Sequence, residues 1–187
     1  MEKVELINQI RNVYNYFSSI KKFSDLVPEV RTNISGSIQN PNSNNDIAAI
    51  EGRITIIGEF PKASGDIKFG VSDHTARLIL TAKEFDSDIN FVMNLKYSPE
   101  LINKLQLESD LLIREISRSD QPKKIQNKDF STMQWIIRKC IEDTGNIPDI
   151  IWDSGALGKE PMIRLFAKSS NKMISKLELI LKMLLSL

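Results

Sequence analysis

Three short stretches of this chain carry residue types that could bind or transform an anion. The first is Gly70-Val71-Ser72-Asp73-His74-Thr75-Ala76-Arg77. An apolar run precedes it and helix-compatible residues follow, which puts Ser72, Asp73 and His74 at the start of a helix with Ser72 as N-cap. Backbone N–H groups there lack intrahelical partners and face the positive end of the helix dipole, a setting that favours a bound anion. The same dipole disfavours imidazolium, and neutral imidazole can both donate and accept a hydrogen bond. The plainer reading is a capped helix with a surface histidine. The second stretch runs from Asp153 to Pro161. Gly155, Gly158 and Lys159 after a buried strand can bring backbone amides and a cation to a phosphate. The glycine spacing is not that of a Walker A loop, and Glu160 follows Lys159 where that loop has Ser or Thr. An ordinary tight turn is the plainer account. The third holds Glu29, Arg31 and Asn33, with Arg53 shortly afterward. Guanidiniums at strand ends suit bidentate contacts to phosphate or carboxylate, although surface salt bridges explain them as well.

Other chemistries find little support. There is one histidine and one cysteine, His74 and Cys140, so an internal disulfide is excluded and a Cys/His zinc site is disfavoured. Cys140 lies in an apolar-periodic segment and reads as a buried small hydrophobe. No G-x-S-x-G, H-E-x-x-H or EF-hand pattern occurs. Glu84, Asp86 and Asp88 form an acidic run that reads as a solvated surface. A formal net charge of +1 gives no support for nucleic-acid or membrane-surface binding, which needs a large positive field. The N-terminus does not read as a signal peptide, and no apolar run approaches the ~18 residues of a membrane span, so a cytoplasmic location is expected.

The elements that must position these residues follow from periodicity. Val4, Ile7, Ile10, Val13, Tyr14, Phe17 and Ile20 recur at helical spacing. Residues 1–25 are therefore expected as an amphipathic helix and 26–187 as one α/β domain. Strands are expected over 30–38, 53–57, 67–71, 91–97, 111–116, 150–152 and 162–167, and a turn over 61–66. Helices are expected after Ser72, after Ser98-Pro99, after Ser131 up to Gly145, and after Ser170. Asn40 to Asp46 reads as a loop. This alternation argues for layered α/β architecture. The apolar faces of the first helix and of Leu177 to Leu187 lead to an expected homodimer.

Taken in order, VPEVRTNI (27–34), DIAAIEGRIT (46–55), FGVSDHTARLIL (69–80), VMNLKY (92–97) and PDIIWDSGALGKEPMIRLF (148–166) make the chain resemble the ThiN-type thiamine-phosphate synthase domain of archaea. The resemblance implies a three-layer α/β/α fold with a mixed sheet, class II aldolase-like. It implies a reaction that joins hydroxymethylpyrimidine diphosphate to thiazole phosphate, giving thiamine monophosphate and pyrophosphate, with Mg²⁺ accompanying the diphosphate. It carries Arg53 and His74 over as catalytic residues. Met93 matches a methionine of catalytic members and could set its sulfur against a substrate ring; core filling is the alternative. Substrate-binding candidates are Met93, Asn94, Lys159, Gly158, Ser72, Asp73, Arg31 and Asn33. Glu160 is read as holding Lys159 or Arg164.

The resemblance also implies a hydroxymethylpyrimidine kinase domain or protein as partner. The competing reading is a thiamine-phosphate-sensing module of a regulator that does no chemistry. A class II aldolase activity would need a cluster of metal-binding histidines, which a single histidine cannot supply.

Overall fold

A computed structural model describes residues 3–122 and 129–187. The N-terminal periodicity yields α1 (Lys3–Phe17), which buries Leu6, Ile10, Val13 and Phe17 on one face. A 3-10 turn, Lys21–Leu26, follows. It stacks Phe23 on Phe17 with ring centroids 4.0 Å apart. The strands are β1 (Ile34–Ser37), β2 (Ile47–Ile50), β3 (Ile54–Ile57), β4 (Phe60–Ala63), β5 (Ile67–Phe69), β6 (Phe91–Lys96), β7 (Ile113–Glu115), β8 (Ile150–Asp153) and β9 (Met162–Ala167). The remaining helices are α2 (His74–Lys83), α3 (Pro99–Glu108), α4 (Asp129–Thr144) and α5 (Ser170–Leu185).

Seven strands form one sheet in the order β5-β2-β1-β6-β9-β8-β7. It is mixed: β7 runs parallel to β8 and the other pairs are antiparallel. Because side chains alternate across a strand, each face collects its own core. Ile34, Met93, Leu95, Ile163 and Leu165 pack with α1, α3 and α5. Ile47, Val92, Ile151 and Phe166 pack with α2 and α4. Helices thus cover both faces, giving the three-layer architecture.

Several expectations need correction. The strand expected at 53–57 exists but is not part of the main sheet: β3 pairs with β4 in a two-stranded ribbon and is otherwise tied by a single bridge from Ile54 to Thr32. Pro61 lies within β4, opposite Ile56, where a turn was expected. Strand β2 was missed, because its Ile-Ala-Ala-Ile has no alternation; all four positions are buried. Ser98 does cap α3, accepting from the Leu101 amide, with Pro99 at the first turn. At α5 the cap is Ser169, not Ser170. Helix α4 starts at Asp129, before Ser131, so its cap lies outside the described residues. The apolar faces of α1 and α5 pack mainly on the chain's own core, while Val4, Leu185 and Leu187 at their ends stay exposed.

Met93 is fully buried in the cluster under α1 and α5. Met93→Leu conserves volume and should change stability by less than about 1.5 kcal/mol. Met93→Ala leaves a cavity and should cost about 2–5 kcal/mol in urea unfolding. A Met93→Ala protein as stable as wild type would contradict this placement.

Candidate functional site

On the α2/α4 side of the sheet the strands change character along their length. In β9, Phe166 belongs to the apolar cluster, and Arg164, two residues away on the same face, is buried and charged. Asn94 of β6 lies directly opposite Arg164, as Val92 lies opposite Phe166. In β8, Ile151 is apolar and Asp153 follows on the same face. Beyond β7, Ile116 is in the cluster and Arg118 follows. The helices cover the apolar ends, and the polar ends line a cavity of about 460 Å³. That volume suits a small organic ligand.

Arg53 and His74 both line this cavity, as do Ser72, Asp73, Asn33, Asn94, Gly158 and Lys159. Two of the predicted residues do not. Met93 points into the opposite core. Arg31 instead donates from Nη1 to the Gly52 carbonyl at 3.3 Å. In return, Arg53 Nη1 donates to the Val30 carbonyl at 2.6 Å. Each arginine closes a turn, with the Arg31 amide bonding to Pro28 O and the Arg53 amide to Ile50 O. Each has φ 70°, the left-handed region that costs a side-chain-bearing residue about 1–2 kcal/mol. Between the turns, Thr32 and Ile54 exchange both backbone hydrogen bonds, at 3.2 and 2.7 Å.

Asn33 and Asn94 lock this arrangement. Asn94 Oδ1 accepts from the Asn33 amide at 2.8 Å and its Nδ2 donates to the Arg31 carbonyl at 2.9 Å. Asn33 Nδ2 donates to the Ile50 carbonyl and its Oδ1 accepts from the Ile50 amide. Glu160 was expected to hold Lys159 or Arg164. Its carboxylate instead accepts from the Glu29 and Val30 amides, at 2.9 and 3.2 Å. Asn33, Asn94, Glu160 and Arg31 therefore fix the loops that present Arg53.

The start of α2 differs from the expected cap. The N-cap is Asp73, whose side chain makes no capping bond, and its carboxylate pairs with Arg77. Ser72 Oγ meets Thr75 Oγ1, which in turn meets Ser35 Oγ of β1 at 2.6 Å. The helix is thereby pinned to the sheet by its first turn while His74 stays exposed at the cavity. The glycine-rich segment is a tight turn, as the plainer reading had it. Ala156 and Lys159 exchange backbone hydrogen bonds at 3.0 and 2.8 Å. At Gly155 a Cβ would come within 2.5 Å of the Lys159 carbonyl, so no other residue fits without a shift. The turn also brings Gly158 and Lys159 to the cavity wall. The acidic run lies elsewhere: Lys168 pairs with Asp86 and Asp88, and Arg138 with Glu84.

Sequence reading missed the cavity floor. Arg118 Nε lies 3.1 Å from Asp153 Oδ1, and Arg164 Nη1 lies 2.6 Å from Oδ2; the carboxylate has no exposed surface. Burial alone would raise the Asp153 pKa, but the Arg164 and Arg118 guanidiniums overcome it and hold the carboxyl below its ordinary range. The available signal was one charged residue in each of two apolar runs, Ile-Ile-Trp-Asp and Met-Ile-Arg-Leu-Phe-Ala.

Fold and site together define a three-layer α/β protein with a cation-lined cleft of a size that suits a small organic ligand. Residues 9–179 match the family model "Thiamine-phosphate synthase ThiN", and the chain belongs to that family. It is 30% identical over 164 residues to "Thiamine-phosphate synthase ThiN" of Methanothermobacter thermautotrophicus, covering 88% of this chain and 86% of that one. It is 37% identical over 176 residues to "Bifunctional thiamine biosynthesis protein ThiDN" of Methanocaldococcus jannaschii. That match covers 92% of this chain but spans only 40% of the longer relative. A crystal structure of the C-terminal domain of phosphomethylpyrimidine kinase superposes with a TM-score of 0.88 at 33% identity, covering 96% of this chain and 100% of that one. An aldolase II superfamily protein from Pseudomonas syringae shares the fold at TM-score 0.53 and 10% identity, covering 98% of this chain and 75% of that one. The expected class II aldolase-like fold is thus found.

Asp153→Asn would leave two buried guanidiniums without their counter-ion and should destabilise by about 3–5 kcal/mol. Because the folded carboxyl sits below its ordinary 3.8, its ionisation stabilises the fold above that pH. This contribution is lost as pH falls through the lower folded value. Urea midpoints measured from about pH 6 down to about pH 2 should show a smaller acid drop for Asp153→Asn than for wild type. Equal drops would sink this account of the floor.

Proposed function

We propose that this chain joins hydroxymethylpyrimidine diphosphate to thiazole phosphate, giving thiamine monophosphate and pyrophosphate. The observation that carries the reading is the convergence of Arg53 and His74, with Lys159, on one cavity. Family membership over most of the chain and the single-function relative support it.

In the reaction the thiazole nitrogen lone pair forms a bond to the pyrimidine methylene carbon. The bond from that carbon to the diphosphate oxygen breaks, and its electron pair leaves with the oxygen. Charge therefore grows on the departing diphosphate. Donors already aimed at that oxygen stabilise the transition state more than the ground state. Arg53 is suited to this because its guanidinium is anchored on Val30 O and its loop is locked. Lys159 adds a second cation on the cavity wall. His74, at the first turn of α2, orients the diphosphate or the aminopyrimidine by hydrogen bonding.

Mg²⁺ belongs to the substrate in this reading. The carboxylates lining the cavity are engaged, Asp73 with Arg77 and Glu160 with two amides, and Asp153, buried behind Arg118 and Arg164, is engaged with both arginines. Among the described residues no group of three or more His, Cys, Asp or Glu is placed to hold a metal ion. An ion that keeps much of its water and binds diphosphate oxygens fits such a site; a protein cage does not. The kinase link rests on the bifunctional relative: the diphosphate substrate would come from a phosphomethylpyrimidine kinase domain or protein. A cytoplasmic reaction is part of this proposal; no helix among the described residues is long and apolar enough to cross a membrane.

Purified protein mixed with both precursors and Mg²⁺ should release pyrophosphate. Arg53→Ala and His74→Ala should each lower kcat by about 10²-fold or more, with melting temperatures close to wild type. Near-normal rates in both variants would refute the assignment. Mg²⁺ alone should leave the melting temperature unchanged, whereas Mg²⁺ with pyrophosphate should raise it. A shift with Mg²⁺ alone would mean a resident metal.

A further inference from the structure

The cavity floor holds more positive charge than negative. Arg118 and Arg164 have side chains only 7% and 4% exposed, and they share the one fully buried carboxylate of Asp153. Two guanidiniums against one carboxylate leave a surplus of one positive charge. Both Asp153 oxygens already face a cation. Arg118 Nη1 is buried without a hydrogen-bond partner. A buried donor in that state costs about 1–3 kcal/mol, and an uncompensated buried charge costs more. The arrangement is complete only with an anion. Arg118 opens a 3-10 turn, Arg118–Asp120, which is held at its end because Gln121 Nε2 donates to Thr132 Oγ1 of α4 at 2.7 Å.

The proposed reaction brings two anions with different fates. The diphosphate gains charge and must leave, so its partners belong where water can replace it. Arg53 and Lys159 are only half-buried and meet that need. The phosphate monoester of the thiazole keeps its charge through the reaction and stays in the product. It calls for a rigid, enclosed partner that orients without reacting. A guanidinium held by a buried carboxylate is such a partner, and its planar fork matches phosphate oxygens.

We propose that Arg118, backed by Arg164 and Asp153, is the seat of the phosphate monoester that the thiazole substrate brings and the product retains. This rests on the reaction proposed above. Arg118 is then the residue that distinguishes phosphorylated from unphosphorylated thiazole.

The test is calorimetric binding of thiamine monophosphate, thiamine and pyrophosphate to wild type, Arg118→Met and Arg118→Lys, with steady-state kinetics on the same proteins. Wild type should bind thiamine monophosphate roughly 100-fold more tightly than thiamine, the size expected of charge-assisted hydrogen bonds. Arg118→Met should shrink that ratio to about 3-fold while pyrophosphate binding changes by less than about 3-fold. KM for thiazole phosphate should rise by about 30-fold with kcat nearly unchanged, the pattern of lost uniform binding. Arg118→Lys should recover part of the ratio. The substitution removes the surplus charge and leaves a balanced Asp153–Arg164 pair, so the melting temperature should not fall. An unfolded or strongly destabilised Arg118→Met protein would show the arginine to be structural and overturn the proposal. So would an unchanged ratio, or a loss of pyrophosphate binding equal to the loss for thiamine monophosphate. A wild-type protein that discriminates the phosphate but never releases pyrophosphate would refute the reaction and leave the phosphate seat standing.

Discussion

The interlock of Asn33 with Asn94 is the constraint on which the site depends. Two amide side chains bond to two backbone segments: residues 31–33, where the Arg31 turn leads into β1, and the Ile50 end of β2. Asn33 is almost fully buried, so its hydrogen bonds are exchanged against poor solvation and leaving them unmade would be costly. The bonds hold two turns that each end in a left-handed arginine. Such residues persist only where the surroundings over-determine them. Here the surroundings are the Thr32–Ile54 bridge, the two asparagines and the Glu160 carboxylate. The outcome is a guanidinium, that of Arg53, with little freedom to lose when substrate arrives.

A second constraint is the change of character along the strands. The sheet face under α2 and α4 is apolar where the helices cover it and charged where they do not. Asp153 and Arg164 lie just past that boundary and are still enclosed. An ion pair in this position is weak evidence for stability, because desolvation offsets most of its attraction. With two guanidiniums to one carboxylate, the floor is poorly built for holding a fold together and well built for receiving an anion. The cations are positioned before the ligand arrives, so little reorganisation accompanies binding.

Much of this was legible in the sequence, for particular reasons. Helix α1 and the α3 cap were readable because spacing and Ser98-Pro99 are local signals. The meeting of Arg53 and His74 was not readable from periodicity; it followed from the resemblance carried by EGRIT and SDH in their order. Strand β2 was missed because burial on both faces erases alternation. The β3–β4 ribbon was misread because Pro61 signals a turn, yet an edge strand tolerates proline. Met93 was placed wrongly because a methionine in a strand says nothing of which face it takes. Asn94, its neighbour, faces the cavity, so Met93 must face away. The floor was overlooked because Arg118, Asp153 and Arg164 come from three distant segments that only the sheet order unites.

The same architecture in an aldolase II superfamily protein at 10% identity shows how little the fold alone decides. Function follows from which groups line the cleft. A cleft built around several histidines would offer metal ligands. This one has a single imidazole and is dominated by Arg53, Arg118, Lys159 and Arg164. The guanidiniums neither shuttle protons at neutral pH nor act as nucleophiles, because they stay protonated. What they do well is hold anions and accommodate charge that grows on a leaving group. A displacement in which the substrate supplies both the nucleophile and the leaving group asks for little else. The chain's own work is then to hold two anionic partners in line and exclude other encounters. Under the proposed reaction, the rigidity of the arginine loops is what would hold the transition-state charge in place.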